Sequence, residues 1–438
     1  MPCSIISMLW SGARMRSKNA CRRSRRTARM PNTSTDRTET VVMDADIYLD
    51  HAATTPLGAA GRAAMLAVFD DASANPSALH RPGERAAAHI ATAEQALASA
   101  INAPAGSLVW TSGATEATNL AIRGVIEFAA RGRDIAQRPL HIVSCETEHA
   151  ATRDLLRHLS GRADVTVTWL GVDGDGMLAP GALDTALAAG ADLVSLMHVN
   201  NETGAIHDIP AIAARCAEAG VPLHVDAAQS LGRLPIDVTA TPIALMSMSA
   251  HKLGGPPGIG ALYVRKRPRV GLAPQILGGG QQNGRRAGTL PTHQIAAFGA
   301  AVAATQAESA AGQASLGRLR DRLWAALSAL DGVTRNGPTD TRVAAPFLNV
   351  SVEGVHGEAL RTGLAHGSPA VAVSGGAACS AARGQSSYVL RAMGCAPRDA
   401  AASVRFSLGM DTDEAGVDAA AARFIAEVVR LRRLAAAL

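Results

Sequence analysis

Ser249-Ala250-His251-Lys252-Leu253-Gly254-Gly255 follows the strand-like run Ile243 to Met248 and opens a glycine-rich turn. Upstream, the run Pro222 to Val225 leads into Asp226-Ala227-Ala228-Gln229. An amine and a carboxylate delivered by neighbouring strands are the pair that pyridoxal phosphate (PLP) requires. The amine holds its aldehyde and the acid keeps its ring nitrogen protonated.

Outward from these two motifs, short apolar runs alternate with helical patterns between about residues 105 and 265, which predicts βαβ units on a mostly parallel sheet. The predicted strands are Leu108 to Thr111, Leu140 to Ser144, Val165 to Leu170, Leu193 to His198, Pro222 to Val225, Ile243 to Met248 and Ile259 to Val264. Five of them run into polar or small-residue tips: Ser112-Gly113-Ala114-Thr115-Glu116, Glu146-Thr147-Glu148-His149, Asn200-Asn201-Glu202, and the Asp226 and Lys252 motifs. Ligands of open α/β sheets bind beyond the carboxyl ends of strands, so the tips are expected to converge. Further on, a helix over Thr292 to Glu308 and a second, amphipathic one around 310 to 330 are predicted. Strand-like Phe347 to Val352 and Ser403 to Ser407 and an Ala-rich C-terminal helix complete a smaller α/β domain.

With 438 residues, two domains are expected, 46–305 and 306–438, the first residues of the large one packing with the small one. The net charge of +5 comes from one end. Eight basic residues between Arg14 and Arg29, with no acid before Asp36, make residues 1–45 read as a basic leader, disordered or targeting-like. Of the 42 basic residues the remaining 34 face 37 acids, so the body needs no polyanionic partner, and no direct nucleic-acid contact is expected. No run of about 18 apolar residues suggests a membrane span. The six cysteines show no CxxC pair, which argues against a disulfide framework or a metal site and fits a reducing, cytoplasmic setting.

Taken singly, each tip has a plainer reading. Ser112 to Thr118 is either a capping box or a phosphate cradle at a helix N-terminus. Asp226 is either a helix cap or the ring-nitrogen partner, and His149 either a solvated loop residue or one that stacks on the ring and moves protons. Cys379, in Ser374-Gly375-Gly376-Ala377-Ala378-Cys379-Ser380-Ala381, is either a small buried cysteine or, lacking bulky neighbours to anchor it, an exposed nucleophile on a mobile loop over about 374–387.

Together, Tyr48-Leu49-Asp50-His51-Ala52-Ala53-Thr54-Thr55-Pro56, Asn75-Pro76-Ser77, the Ser112 motif, His198-Val199-Asn200-Asn201-Glu202-Thr203-Gly204, the Asp226 and Lys252 motifs, Gly288-Thr289-Leu290-Pro291 and Ser403-Val404-Arg405-Phe406-Ser407-Leu408-Gly409 make the chain from Ile47 to about Arg433 resemble the NifS-like cysteine desulfurases. These are class V members of the fold-type I PLP-dependent transferases. The resemblance implies a large domain with a seven-stranded, mostly parallel sheet and a smaller α/β domain. It implies that Lys252 carries PLP, Asp226 pairs with its ring nitrogen, Gln229 with its phenolic oxygen, and His149 stacks on the ring. The phosphate is expected among Ala114, Thr115, Ser249 and His251, with Thr289 reaching across from the second subunit of a homodimer. Asn201 and Arg405 match positions that hold the L-cysteine substrate.

In the resembling enzymes the loop cysteine takes the substrate's sulfur as a persulfide and leaves alanine. The long loop implies delivery to a separate sulfur-acceptor protein, with an iron–sulfur scaffold, thiocofactor synthesis and tRNA thiolation as the candidate destinations. The loop departs from the expected pattern in reading Ser-Gly-Gly-Ala-Ala-Cys where Ser-Ser-Gly-Ser-Ala-Cys is usual. Another reaction on the same scaffold, such as selenocysteine lyase, aminotransferase or epimerase chemistry, and a non-catalytic relic are the rival readings.

Overall fold

The structure is a computed structural model that describes residues 46–131, 133–134, 138–376 and 386–437. In chain order its first elements are β1 (Ile47–Tyr48), α1 (Ala59–Asp71), α2 (Arg81–Ala100), β2 (Leu108–Thr111), α3 (Ala114–Ala130), β3 (Leu140–Cys145), α4 (Ala150–Ser160), β4 (Val165–Leu170), α5 (Ala182–Ala188), β5 (Leu193–Met197), α6 (Ile209–Glu218), β6 (Leu223–Asp226), β7 (Leu245–Ser249) and β8 (Gly260–Val264). They are followed by α7 (Thr292–Leu327), β9 (Val333–Asn336), β10 (Phe347–Val352), α8 (Gly357–Ala365), β11 (Val371–Ala372), α9 (Tyr388–Ala392), α10 (Pro397–Ala401), β12 (Ser403–Ser407) and α11 (Glu414–Ala436). The basic leader and the loop with Cys379 lie outside the described residues.

Seven strands form one sheet in the order β2-β8-β7-β6-β5-β3-β4. Strand β8 is antiparallel to both neighbours, while β7, β6, β5, β3 and β4 run parallel. The central strands are buried at every residue, which is why they read as apolar runs; β4, at an edge, is buried only at its two end residues, Val165 and Leu170. The expected strands are all present. The C-terminal ends of β6 and β7 extend one residue further than predicted, to Asp226 and Ser249 themselves.

A polar seam crosses the apolar middle of the sheet. The His224 imidazole lies 2.9 Å from Ser195 Oγ through Nδ1 and 2.8 Å from Ser247 Oγ through Nε2. Thr118 of α3 donates to Ser247 Oγ at 3.2 Å. Burial drives His224 down to about 3, so it is neutral, and hydroxyls at both nitrogens satisfy either tautomer. The seam ties α3, whose N-terminus faces the strand tips, to the strand bearing Asp226.

A second, three-stranded antiparallel sheet, β12-β10-β9, shares a core with α7, α8 and α11. Residues at the start of the body join it: Ile47 pairs with Val371, and Leu49 is buried in the same core. The two helices predicted over 292–308 and 310–330 are one continuous helix of 36 residues. Gly312 and Gly317 each cost about 1 kcal/mol relative to alanine, too little to stop a helix whose flanks are alanine-rich and free of proline. Two glycines set close approaches. Gly204 takes φ +76° against Phe347, and a side chain at Gly260 would collide with the Gly113 backbone, so β8 needs a glycine to lie beside the turn entering α3.

Candidate active site

Beyond the carboxyl ends of β2, β3, β5, β6 and β7 lies a cavity of about 380 Å³. Ten of the residues singled out in the sequence line it: Ala114, Thr115, His149, Asn201, Asp226, Gln229, Ser249, His251, Lys252 and Arg405. Thr289 does not line it and is exposed, and Cys379 lies outside the described residues.

Lys252 reaches back to the segment after β1, its Nζ donating to the carbonyls of Ala52 at 2.5 Å and Ala53 at 2.7 Å. Burial, together with the Arg405 and Arg233 guanidinium charges, outweighs the pull of Asp50 and Asp226 and pushes the amine down to about 7. Asp226 accepts from the Ala228 N–H at 2.9 Å, and burial raises its pKa against the opposing pull of His149 and Lys252. Gln229 is fixed at both ends of its amide: Nε2 donates to Ala52 O at 2.9 Å and Oε1 accepts from Arg233 at 2.8 Å. One N–H of the amide is left for another partner.

His149 caps α4, its Nδ1 accepting from the Ala151 N–H at 3.1 Å. That bond leaves the proton of the neutral ring on Nε2, and burial keeps the ring neutral by lowering its pKa. The capping reading holds for His149; Asp226 caps no helix, because the residues after it form a turn, and both side chains line the cavity. His251 contacts Thr54 Oγ1 through Nδ1 at 3.2 Å, and burial lowers it to about 4, so it offers a hydrogen bond and not a charge.

At the far side Arg405 is almost wholly buried, with Nη2 donating to Asp50 at 2.6 Å and Nη1 to the Asn201 carbonyl at 2.7 Å. Its Nε and the Asn201 Oδ1 are buried without a hydrogen-bond partner. Both residues line the cavity, and unmet polar atoms of this kind suit a polar ligand.

Sequence reasoning missed several residues. Asp50 orients Arg405, Arg233 locks Gln229 and also donates to the Lys252 carbonyl at 2.8 Å, and Glu148 sits fully buried beneath the cavity with Oε1 accepting from Met197 N–H at 2.6 Å. Burial, with the Asp226 charge nearby, raises Glu148 well above the usual carboxylate range. For Glu148 the available signal was its place beside His149, since an acid next to a candidate site residue is a perturbation in itself.

The geometry is that of an amine, a carboxylate and a helix N-terminus around one cavity. The family described as Aminotransferase class-V matches residues 47–420. A cysteine desulfurase IscS of Shewanella baltica (strain OS155 / ATCC BAA-1091) is 43% identical over 395 residues, 90% of this chain and 95% of that relative. This chain belongs to the cysteine desulfurase branch of the class-V aminotransferases. Among solved structures, a NifS-like protein matches this desulfurase-family fold with a TM-score of 0.79 at 27% identity, over 88% of this chain and 100% of that one. SspA, solved in complex with cysteine, matches with a TM-score of 0.70 at 31% identity, over 82% of this chain and 98% of that one. Among the described residues of this desulfurase-family chain no helix is long and apolar enough to cross a membrane.

The residues fit PLP. The start of α3 presents unpaired N–H groups beside small side chains, with open space at Gly113, as a phosphate needs. Lys252 and Asp226 supply the amine and the acid on adjacent strands, β6 and β7 being paired. The depressed lysine has a measurable consequence. Only the neutral amine is nucleophilic, so capture of PLP by cofactor-free protein should accelerate as pH rises through about 7, not through the 10.5 of an ordinary lysine. Stopped-flow absorbance across that range checks it; a rate still climbing steeply well above pH 8 would contradict the assignment.

Proposed function

We propose that this chain uses PLP to remove sulfur from L-cysteine, giving L-alanine and a persulfide on Cys379. The observation that carries the proposal is the gathering of Lys252, Asp226, His149, Asn201 and Arg405 around one cavity in a chain so similar to cysteine desulfurases. Bound there, PLP would supply an electron sink for bond breaking at the substrate's carbons.

Lys252 would hold the cofactor, Asp226 its ring nitrogen, Gln229 its phenolic oxygen, and Ala114, Thr115, Ser249 and His251 its phosphate. Arg405, oriented by Asp50, and the free Asn201 amide oxygen bind the substrate's carboxylate and amino ends, a fork-shaped guanidinium being suited to the first. Lys252 Nζ, with a pKa near 7, takes the proton from the substrate's α-carbon and returns it, and His149 Nε2 carries protons at the cavity wall. The Cys379 thiolate attacks the substrate's sulfur. As the new S–S bond forms, the Cβ–S bond breaks, and the carbon left with the electron pair is protonated to give the methyl group of alanine.

The active unit in this reading is a homodimer, supported by the exposed position of Thr289 away from its own chain's cavity. The persulfide is passed to a sulfur-acceptor protein serving iron–sulfur cluster assembly, thiocofactor synthesis or tRNA thiolation. A cytoplasmic location is part of the same reading, supported by cysteine spacing without a disulfide framework. The test is to incubate purified, PLP-loaded protein with L-cysteine and measure products. Alanine and sulfane sulfur are expected in equal amounts; a keto acid in place of alanine, or turnover only when an α-keto acid is added, would overturn the proposal.

A further inference from the structure

The phosphate-facing turn carries a group that should not be there if cofactor binding were its only task. Glu116, in the first turn of α3, lines the cavity. A carboxylate beside a bound phosphate repels it. Its charge is instead committed elsewhere. Oε1 accepts from Arg286 Nε at 2.8 Å, and Oε2 accepts from Arg286 Nη2 at 3.1 Å and from the Ser112 N–H at 2.7 Å. This is a two-pronged pair, with both side chains about four-fifths buried.

A second brace grips the other flank of the same turn. Gln282 lies against the edge strand β2 as a further strand would: Trp110 N–H donates to its Oε1 at 2.6 Å, and its Nε2 donates to Trp110 O at 3.0 Å. Residues 282 and 286 are thus fastened to residues 110 and 116 on either side of Ser112-Gly113. Within the same segment, Ala287 N–H donates to Ile276 O at 3.1 Å and Gly288 N–H to Gln281 Oε1 at 2.9 Å. Thr289 projects from this braced segment, exposed, three residues beyond Arg286.

We infer that Glu116, through Arg286, is a positioning residue that couples a chain's own phosphate cradle to the Thr289 that completes the cradle of its partner subunit. The inference rests on the proposed PLP-binding homodimer. It makes the two cofactor sites interdependent. Ordering of the Ser112 to Glu116 turn by phosphate in one chain fixes the segment delivered to the other, which is positive coupling between sites.

The sign of one substitution separates this from a local role. A purely local Glu116 opposes phosphate, and Glu116→Gln would tighten PLP binding; a positioning Glu116 is needed in trans, and the same change would weaken it. The experiment uses a heterodimer made with two affinity tags, stripped of PLP and titrated with it. One chain carries Lys252→Ala and Glu116→Gln, the other is unsubstituted, so the visible absorbance of lysine-linked PLP reports the unsubstituted chain alone. Its PLP affinity is expected to be roughly tenfold weaker than in a heterodimer carrying Lys252→Ala by itself, the scale of a charge-assisted hydrogen bond. Unchanged or tighter binding would overturn the inference. A parallel heterodimer with Thr289→Ala in place of Glu116→Gln separates the two ideas. If it weakens binding while Glu116→Gln does not, the crossing Thr289 stands and the coupling falls; if neither does, the crossing falls and takes the coupling with it. Should the Glu116→Gln chain fail to assemble, Gln282→Ala, which removes the strand-edge brace without changing charge, carries the same expectation.

Discussion

Cys379→Ser should lower the rate of alanine formation from L-cysteine by about 10²-fold or more, the scale on which removal of a nucleophile acts, while the protein still binds PLP with unchanged absorbance. Serine keeps the size and loses the soft, readily ionised sulfur, so it cannot accept sulfane sulfur. The two readouts divide the site in two. In the proposed reaction cofactor capture belongs to the residues on the strand tips, and sulfur capture to a residue far along the chain. Radiolabelled sulfur from cysteine should remain on the protein after denaturation in the unsubstituted form and be absent from the serine variant. Native-rate turnover by Cys379→Ser would place the sulfur-accepting step on another thiol and would remove the reason for assigning this cysteine any role.

Lys252→Ala is expected to abolish covalent attachment of PLP and to lower turnover by about 10²- to 10⁴-fold or more, because the same amine binds the cofactor and moves the substrate's α-proton. Borohydride treatment, which fixes lysine-linked PLP to protein, should label the unsubstituted chain and leave the variant unlabelled. An added small amine should restore some turnover to the variant if proton transfer is the missing function. Retention of full activity would mean that the amine held by the Ala52 and Ala53 carbonyls is a structural contact only.

How much of this site can be read without coordinates depends on what kind of information each residue carries. The strand tips announce themselves because a strand buried on both faces is a largely apolar run that gives way to polar and small residues where it ends; Asp226 and Ser249 stand at those ends. Pairings across long stretches of chain are silent. Arg405 meets Asp50 across 355 positions, and Glu116 meets Arg286 across 170. Nothing local distinguishes these from solvated surface charges until the topology brings them together. The long helix was misread for the opposite reason. The change from an apolar pattern over 292–308 to an amphipathic one from about 310 reads as two helices, whereas packing along both ends, against α1 and α2 and then in the C-terminal core, keeps α7 intact. Local propensity is a weak signal beside such contacts.

At 1.5 Å per residue the 36 residues of α7 make a rod about 54 Å long. Its N-terminal end begins three residues after Thr289, and its other end is anchored in the C-terminal core by Leu316, Leu319, Leu323 and Leu327. Its first turns are held by α1 and α2, with Phe69 against His293 and Val68, Ala72 and Ala86 around Ala296. The rod therefore ties the C-terminal core to the segment beside Thr289. In the proposed dimer, the part of one subunit that flanks the sulfur-carrying loop and the part that reaches its partner's cofactor are geared to one shaft.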